Sequence, residues 1–184
     1  MRNRIIQTAR EKINRSGFRQ FTVNDIAVKL GISKNTVYKY FNSKYEIISA
    51  VVDMNVELEK AGVLKALESE GSWSDKLHAL MFTYVPERPV WVTEEIERFY
   101  PQEWVKIKAM RKWRGPILAE VFMNALNNGE IRSDISPEAV SLIIGGVFLA
   151  LVKSSNLEQI DMTYNQAIVH FMEILYTGIL ANNK

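Results

Sequence analysis

The sequence contains no cysteine, and this absence excludes several kinds of site. Without thiols the chain has no disulfide bond, no thiolate metal ligand and no cysteine nucleophile. The two histidines, His78 and His170, are isolated from each other and from acids at metal-ligand spacing, so we expect no metal site and no cofactor. The sequence also lacks a glycine-rich phosphate loop and a nucleophile elbow. We therefore expect that the protein is not an enzyme.

Long apolar runs are absent as well. The longest uncharged apolar stretch, Leu142–Val152, is far shorter than the ~20 residues that a membrane-spanning helix needs. The N-terminal residues mix charges through every turn and lack the apolar core of a signal peptide. We therefore expect a cytoplasmic protein with no membrane partner.

Strand-like alternation, internal repeats and low-complexity tracts are also missing, whereas apolar residues recur at helical spacing along most of the chain. The sequence therefore predicts an all-α protein. Spacing, capping residues and helix breakers predict helices over residues 3–16, 22–30, 33–41, 44 into the 60s, 74 to the prolines Pro86 and Pro89, 101–127, 136–154 and 164–180.

Some boundaries depend on single residues. Gly17 is expected to end the first helix, and Gly62 to interrupt or weaken the helix that starts at Lys44. Ser74 is expected to cap its helix, Glu87–Gln102 to be irregular or broken helix, and residues 155–162 to form a polar loop.

Residues 1–48 and the remainder of the chain carry net charges of opposite sign. Residues 1–48 hold ten Lys or Arg against three acids, a net charge of +7. The whole chain holds 23 against 21, so the remainder carries 13 against 18, a net charge of −5. A basic end on an acidic remainder is the pattern expected when only that end binds nucleic acid.

The stretch Thr22–Lys44 concentrates local structural signals within this basic end. Thr22 is a suitable N-cap, with Asp25 in the favourable first turn of the helix. Ile26 lies on the apolar face of that helix, and Gly31 follows where a helix commonly ends in the left-handed region. These residues predict a short helix that closes in a tight turn.

A second short helix follows, capped by Ser33. Val37 and Phe41, four residues apart, are expected to face the first helix. The residues left outside suit phosphates and base edges, and they are Lys34, Asn35, Thr36, Tyr38 and Lys39. This is the pattern of a helix-turn-helix whose second helix enters the major groove. On these residues alone an ordinary helical hairpin with a solvated charged face stays open.

The segment Phe18–Ile48 resembles the N-terminal domain of the TetR family of transcriptional regulators. The matching positions are Thr22, Ile26, Ala27, Gly31, Ile32, Ser33, Thr36, Val37, Tyr38, Tyr40, Phe41 and Lys44. Tyr45 departs from the charged or polar residue usual in the family. We expect the duplex to be faced by Lys34, Asn35, Thr36, Tyr38, Lys39 and Tyr40, with phosphates bound by Thr22, Ser33 and Lys44, and the resemblance implies the same set.

The chain divides, on this interpretation, into a three-helix DNA-binding domain over residues 1–46 and a helical ligand-binding and dimerisation domain over residues 47–184. Leu142–Val152 is apolar all round, which predicts burial on several sides. It is either the central helix of a monomer core or part of a subunit interface, in which residues 136–154 and 164–181 form a four-helix bundle across a two-fold axis. The resemblance implies the homodimer, and a two-fold dimer predicts a near-palindromic operator.

Aromatic residues are dense in the middle third of the chain. They either form plain core or line a cavity for a small hydrophobic ligand, and the ligand-pocket candidates are Trp91, Tyr100, Trp104 and Phe122. The acids Glu94, Glu95, Glu97 and Glu103 are expected to form a solvated face. The resemblance implies a regulator that responds to a ligand, and we expect a repressor that the ligand releases from DNA. The alternatives are a constitutive DNA-binding and dimerisation module, and an all-helical enzyme or carrier that uses the cavity.

Overall fold

The computed structural model describes residues 1–83, 90–151 and 153–179, with the side chains of these residues except 83, 90, 91, 141, 154 and 179. Within these ranges the regular structure is α-helical. The helices are α1 (Arg2–Gln20), α2 (Val23–Leu30), α3 (Lys34–Tyr38), α4 (Lys44–Glu68), α5 (Trp73–Thr83), α6 (Val90–Phe99), α7 (Pro101–Asn127), α8 (Pro137–Leu151), α9 (Ser154–Gln159) and α10 (Tyr164–Ile179). The expected helix stops at Pro86 and Pro89 and the side chain of Trp91 lie outside the described residues.

The chain packs as two compact units. The first unit holds Met1–Leu58 and the described part of Pro86–Lys108, and the second holds the described parts of Glu59–Val85 and Ala109–Lys184. The helices α4 and α7 each contribute residues to both units. The expected division into a DNA-binding domain over residues 1–46 and a ligand-binding and dimerisation domain over residues 47–184 stays a prediction.

The first unit has a core that joins α1, α2, α3, the start of α4, and α6. The expected core residues Phe18 and Phe21 are 1 % and 0 % exposed. The helix α6 adds Val92 and Ile96 to the same cluster. Burial of each such side chain stabilises the fold by about 1.5–3 kcal/mol. The helix-turn-helix therefore shares its core with α6, a helix far away in the sequence.

In the second unit, Trp73, the first residue of α5, contacts two other helices. Its ring lies 5.9 Å from that of Phe122 in α7 and 6.0 Å from that of Tyr176 in α10. The Tyr176 hydroxyl donates to the Ser74 carbonyl at 2.8 Å, and burial raises the pKa of Tyr176 to about 12. These contacts join α5, α7 and α10.

Several sequence-based boundaries are confirmed. Gly17 has φ 79° and ψ 172°, which breaks the helical path of α1 near its end. The helix α7 begins at Pro101 and continues through Pro116. Ser136 caps α8, because its hydroxyl oxygen accepts a hydrogen bond from the Ala139 amide at 3.3 Å.

Other boundaries were wrong. Ser72 caps α5 in place of Ser74, since the Asp75 amide donates to the Ser72 hydroxyl oxygen at 3.2 Å and the Ser72 amide donates to the Asp75 carboxylate at 2.9 Å. This reciprocal capping favours the serine three residues before the acid over the serine next to it. The helix α4 runs through Gly62, so the expected interruption is wrong, while a weakening of the helix by roughly 1 kcal/mol relative to alanine stays a prediction.

Two segments are expected from the sequence to be irregular. Val90–Phe99 is the helix α6, and the helical path breaks at Tyr100 before α7 begins at Pro101, which agrees with the broken-helix alternative for the described part of Glu87–Gln102. The buried Val92 and Ile96 are one turn apart on the inner face of α6. The helix α8 ends at Leu151, and the expected polar loop begins with the short helix α9, anchored by the buried Leu157. Among the described residues, no helix combines the length and apolar character needed to cross a membrane.

Candidate nucleic-acid interface

A reciprocal cap fixes the start of α2. The Asp25 amide donates to the Thr22 hydroxyl oxygen at 3.2 Å, while the Thr22 amide and hydroxyl both donate to the Asp25 carboxylate at 2.8 Å. These hydrogen bonds, with a smaller contribution from the ammonium of Lys12 at 3.5 Å, lower the pKa of Asp25. The sequence-based expectation that Thr22 caps α2 is confirmed.

The turn between α2 and α3 uses the conformational freedom of glycine. Gly31 has φ 64° and ψ 36°, a left-handed conformation that glycine adopts without the steric cost of a Cβ atom. Its amide donates to the Val28 carbonyl, and the Ile32 amide donates to the Ala27 carbonyl. The turn thus satisfies two carbonyl groups at the end of α2, and it fixes the direction in which α3 leaves.

The helix α3 presents a polar face above an apolar anchor. Val37 is fully buried and Phe41, which follows the helix, is 1 % exposed. The residues expected to read the duplex lie on the outside, with Thr36 partly covered and the others exposed, namely Lys34, Asn35, Tyr38, Lys39 and Tyr40. The structure therefore leaves these side chains accessible to solvent around the buried Val37, and their contact with DNA stays a prediction.

The hydroxyl groups of Ser33 and Thr36 form a pair at the start of α3. The Thr36 amide donates to the Ser33 hydroxyl oxygen at 3.0 Å, and the two hydroxyl oxygens are also 3.0 Å apart. One hydroxyl hydrogen forms the bond between them, so the other is left to donate outward. This pair can offer one hydrogen bond to DNA, whereas the hydroxyl hydrogen of Thr22 is already donated to Asp25.

Lys44 is the first residue of α4, and its side chain contacts the end of α1 and the residue that follows it. Its ammonium group donates to the Arg19 carbonyl at 3.4 Å and lies 5.5 Å from the centre of the Phe21 ring. Burial lowers the pKa of Lys44, while the negative charges of Glu95 and Asp25 act in the opposite direction. The ammonium is thus oriented by contacts within the first unit, and its binding to phosphate stays a prediction.

The four candidate ligand-pocket residues are divided between the two units. Tyr100 and Trp104 pack against the core of the first unit, and Phe122 is buried in the second unit. The second unit also contains a cavity of about 360 Å³. Trp73, which contacts Phe122, lines this cavity together with apolar, amide and charged side chains. The assignment of the four residues to a ligand site stays a prediction.

Two acids that were expected on a solvated face have specific partners in the first unit. Glu95 accepts a hydrogen bond from the Phe18 amide at 2.7 Å. Glu103 is 2 % exposed, and its carboxylate lies 2.8 Å from the ammonium of Lys106 and 2.8 Å from the hydroxyl of Tyr45. Phe18 is 77 residues from Glu95 in the sequence, and Tyr45 is 58 residues from Glu103. Local spacing therefore gave no signal for either contact.

Comparison with known proteins agrees with this geometry. Residues 5–51 match the family described as bacterial regulatory proteins, tetR family. The chain is 24 % identical over 194 residues to the HTH-type transcriptional regulator YvaF of Bacillus subtilis, covering 100 % of this chain and 98 % of that protein.

Solved structures match the fold over almost the whole chain. A putative transcriptional regulator from Saccharomonospora viridis in complex with choline has a TM-score of 0.77 at 20 % identity, with 98 % of each chain covered. The ketosteroid regulator KstR2 of Mycobacterium tuberculosis has a TM-score of 0.68 at 20 % identity, covering 98 % of this chain and 95 % of that one. The helix-turn-helix segment thus matches the tetR family, and the whole chain shares the fold of these two regulators.

Proposed function

We propose that this protein is a homodimeric repressor that binds a near-palindromic operator and is released from it by a small hydrophobic ligand. The observation that carries the DNA-binding part is the outward face of α3, where exposed lysine, asparagine and tyrosine side chains lie above the buried Val37. Asn35 and Thr36 suit base edges, and the lysines suit phosphates. The net charge of +7 on residues 1–48 supports a strong phosphate contribution.

The dimer is supported by apolar side chains that the second unit leaves in solvent. Leu142, Ile143 and Leu149 of α8 are 78 %, 60 % and 62 % exposed, and Val169 and Ile174 of α10 are 52 % and 70 % exposed. Several exposed apolar residues on two helices are characteristic of a protein–protein interface. An isologous contact of α8 and α10 with their copies would bury these side chains and supply the two-fold axis of a palindromic operator.

The ligand response is supported by the second unit. Its cavity of about 360 Å³ is within the size range of small-molecule sites. A similarly folded regulator binds choline, a small organic molecule. Because α4 is continuous from Lys44 to Glu68, a ligand that displaces its far end could alter operator affinity through its first turn. A coupling of only ~1–3 kcal/mol would change operator affinity about 5–150-fold.

The test begins with selection of DNA from a random duplex pool by the purified protein. We expect one near-palindromic sequence to be enriched, with affinity that falls steeply as salt increases. Selected duplexes that share no common sequence would contradict operator binding.

Thermal-shift screening of small hydrophobic compounds then tests the ligand, because a compound that binds the folded state raises the melting temperature. Each hit is added to the selected operator complex, and we expect at least one to weaken the complex. Operator binding that no hit changes would favour the constitutive DNA-binding and dimerisation module.

A further inference from the structure

The backbone between α1 and the helix-turn-helix is held from the side by α6. The break at Gly17, with φ 79° and ψ 172°, interrupts the helical path of α1 directly before Phe18. The carboxylate of Glu95 accepts hydrogen bonds from two backbone amides that follow this break, from Phe18 at 2.7 Å and from Arg19 at 3.4 Å. A charged acceptor makes such hydrogen bonds stronger than neutral ones.

Side chains of the same part of α6 hold the same segment. The Arg19 guanidinium lies 5.1 Å from the centre of the Phe99 ring, and Phe99 is one helical turn after Glu95. The ring of Phe18 lies 5.7 Å from that of Tyr100, which directly follows α6. Both the backbone and the side chains of residues 18 and 19 are thus fixed by residues 95–100.

The other end of this segment leads directly into the DNA-reading elements. The Arg19 carbonyl accepts from the ammonium of Lys44, the first residue of α4. Phe21 is fully buried, and Thr22 after it is the cap of α2. A shift of the backbone at Phe18 and Arg19 would therefore move the start of α2 and the ammonium of Lys44 together.

We propose that Glu95 is a positioning residue for operator binding: its carboxylate sets the path of residues 17–21 and thereby the orientation of α2, α3 and Lys44 toward DNA. This role depends on the operator binding proposed above. Glu95 itself does not contact DNA in this proposal, and it acts through the amides of Phe18 and Arg19.

The experiment compares three variants of the full chain on the selected operator. Glu95→Ala removes the acceptor, whereas Glu95→Gln keeps an oxygen that can accept from the Phe18 amide. Tyr45→Phe is the matched control, since it removes a hydrogen bond between α4 and α7 in the same unit at 2.8 Å without touching residues 17–21. We expect Glu95→Ala to weaken operator binding ~10-fold or more, and the other two variants to stay within about threefold of the unsubstituted protein.

Amide hydrogen exchange of the free protein provides a second readout that does not depend on DNA. We expect the Phe18 amide to exchange at least ~10-fold faster in Glu95→Ala and to keep most of its protection in Glu95→Gln. Circular dichroism checks that each variant keeps its helix content. If Glu95→Ala does not fold, the test depends on Glu95→Gln. A Phe18 amide that stays protected from exchange, with operator affinity within threefold of the unsubstituted protein, supports the proposal. A larger loss of operator affinity overturns it.

Two results would overturn the positioning role alone. One is a Phe18 amide whose exchange is unchanged in Glu95→Ala, since the contact would then not hold the segment. The other is fast exchange at Phe18 with operator binding within twofold of the unsubstituted protein, since the path of the segment would then not matter for DNA. An unsubstituted protein that selects no DNA sequence overturns operator binding first, while its Phe18 exchange still reports whether the contact exists.

Discussion

At the scale of the residue, the surface of α3 separates side chains by what they can do with DNA. Asn35 is exposed, and Thr36 shares a hydroxyl pair with Ser33 that has one hydrogen to donate. The amide of Asn35 suits the edge of adenine, and the methyl group of Thr36 suits that of thymine. The lysines have a long, flexible stem and can contact phosphate oxygens whatever the DNA sequence is.

Replacing Asn35 or Thr36 by alanine should change which base is preferred at one position of the operator. A base contact of this kind is worth ~1–3 kcal/mol of discrimination. The measurement is the affinity of each variant for the operator and for its single-base substitutions. An equal loss on every sequence would show that these side chains do not read bases.

Replacing Lys44 by alanine should weaken binding to all sequences alike. Loss of one phosphate contact lowers the slope of log affinity against log salt by about one unit. Lys29 is the control, because it is an exposed lysine of α2 that lies outside the proposed set of contacts. Titrations at several salt concentrations should show a larger change of slope for Lys44→Ala than for Lys29→Ala, and equal slopes would remove Lys44 from the phosphate contacts.

At the scale of the element, α2 shows how a local cap makes stability depend on pH. Hydrogen bonds from Thr22 hold the pKa of Asp25 below its ordinary value. A carboxyl group whose pKa is lower in the folded state stabilises the fold above its unfolded pKa of about 3.9. That stabilisation is lost as the pH falls through the lower, folded pKa.

Thr22→Ala should reduce the free energy of unfolding by ~0.5–2 kcal/mol at pH 7, because it removes an N-cap. The difference from the unsubstituted protein should become smaller at about pH 3, where the part due to ionised Asp25 is fading. Chemical denaturation at the two pH values measures both differences. A difference that grows as the pH falls would contradict this account of the cap.

At the scale of the whole molecule, the exposed apolar residues of α8 and α10 predict self-association. Leu142 is 78 % exposed, and a Cβ atom at Gly146 would meet no atom within 4 Å, so both positions tolerate change within the single chain. Phe148 differs, since the guanidinium of Arg114 lies 5.3 Å from the centre of its ring within the second unit. A charge at Phe148 would therefore disturb the fold as well as the interface.

Leu142→Glu should convert the dimer into monomers and abolish tight operator binding, because a desolvated carboxylate at an apolar interface is costly. Val105→Glu is the matched control, since Val105 is 58 % exposed in the first unit. Sedimentation velocity should show monomers only for the Leu142 variant. A stable, well-folded monomer of the unsubstituted protein would refute the dimer.

Short-range chemistry determined what the sequence could predict about this protein. The helix-turn-helix depends on contacts within a few residues: the Thr22–Asp25 cap, the left-handed Gly31, the Ser33 cap and the spacing of Val37 and Phe41. Each of these is set by local backbone geometry, so the sequence predicts the fold of this part and the face proposed to meet DNA.

The tertiary structure decided what depends on residues far apart in the sequence. No local pattern distinguishes Glu95, which bonds to an amide 77 residues away, from the exposed Glu97 two positions later. Local patterns also did not predict the position of α6. Its apolar residues Val92 and Ile96 pack into the core of the helix-turn-helix, which only the folded structure shows. Such contacts form only when the chain closes a long loop, and their energy comes from burial and hydrogen bonding with groups whose positions the sequence does not specify. The sequence determined the helix-turn-helix, and only the folded chain showed that α6 packs into its core and bonds to the end of α1.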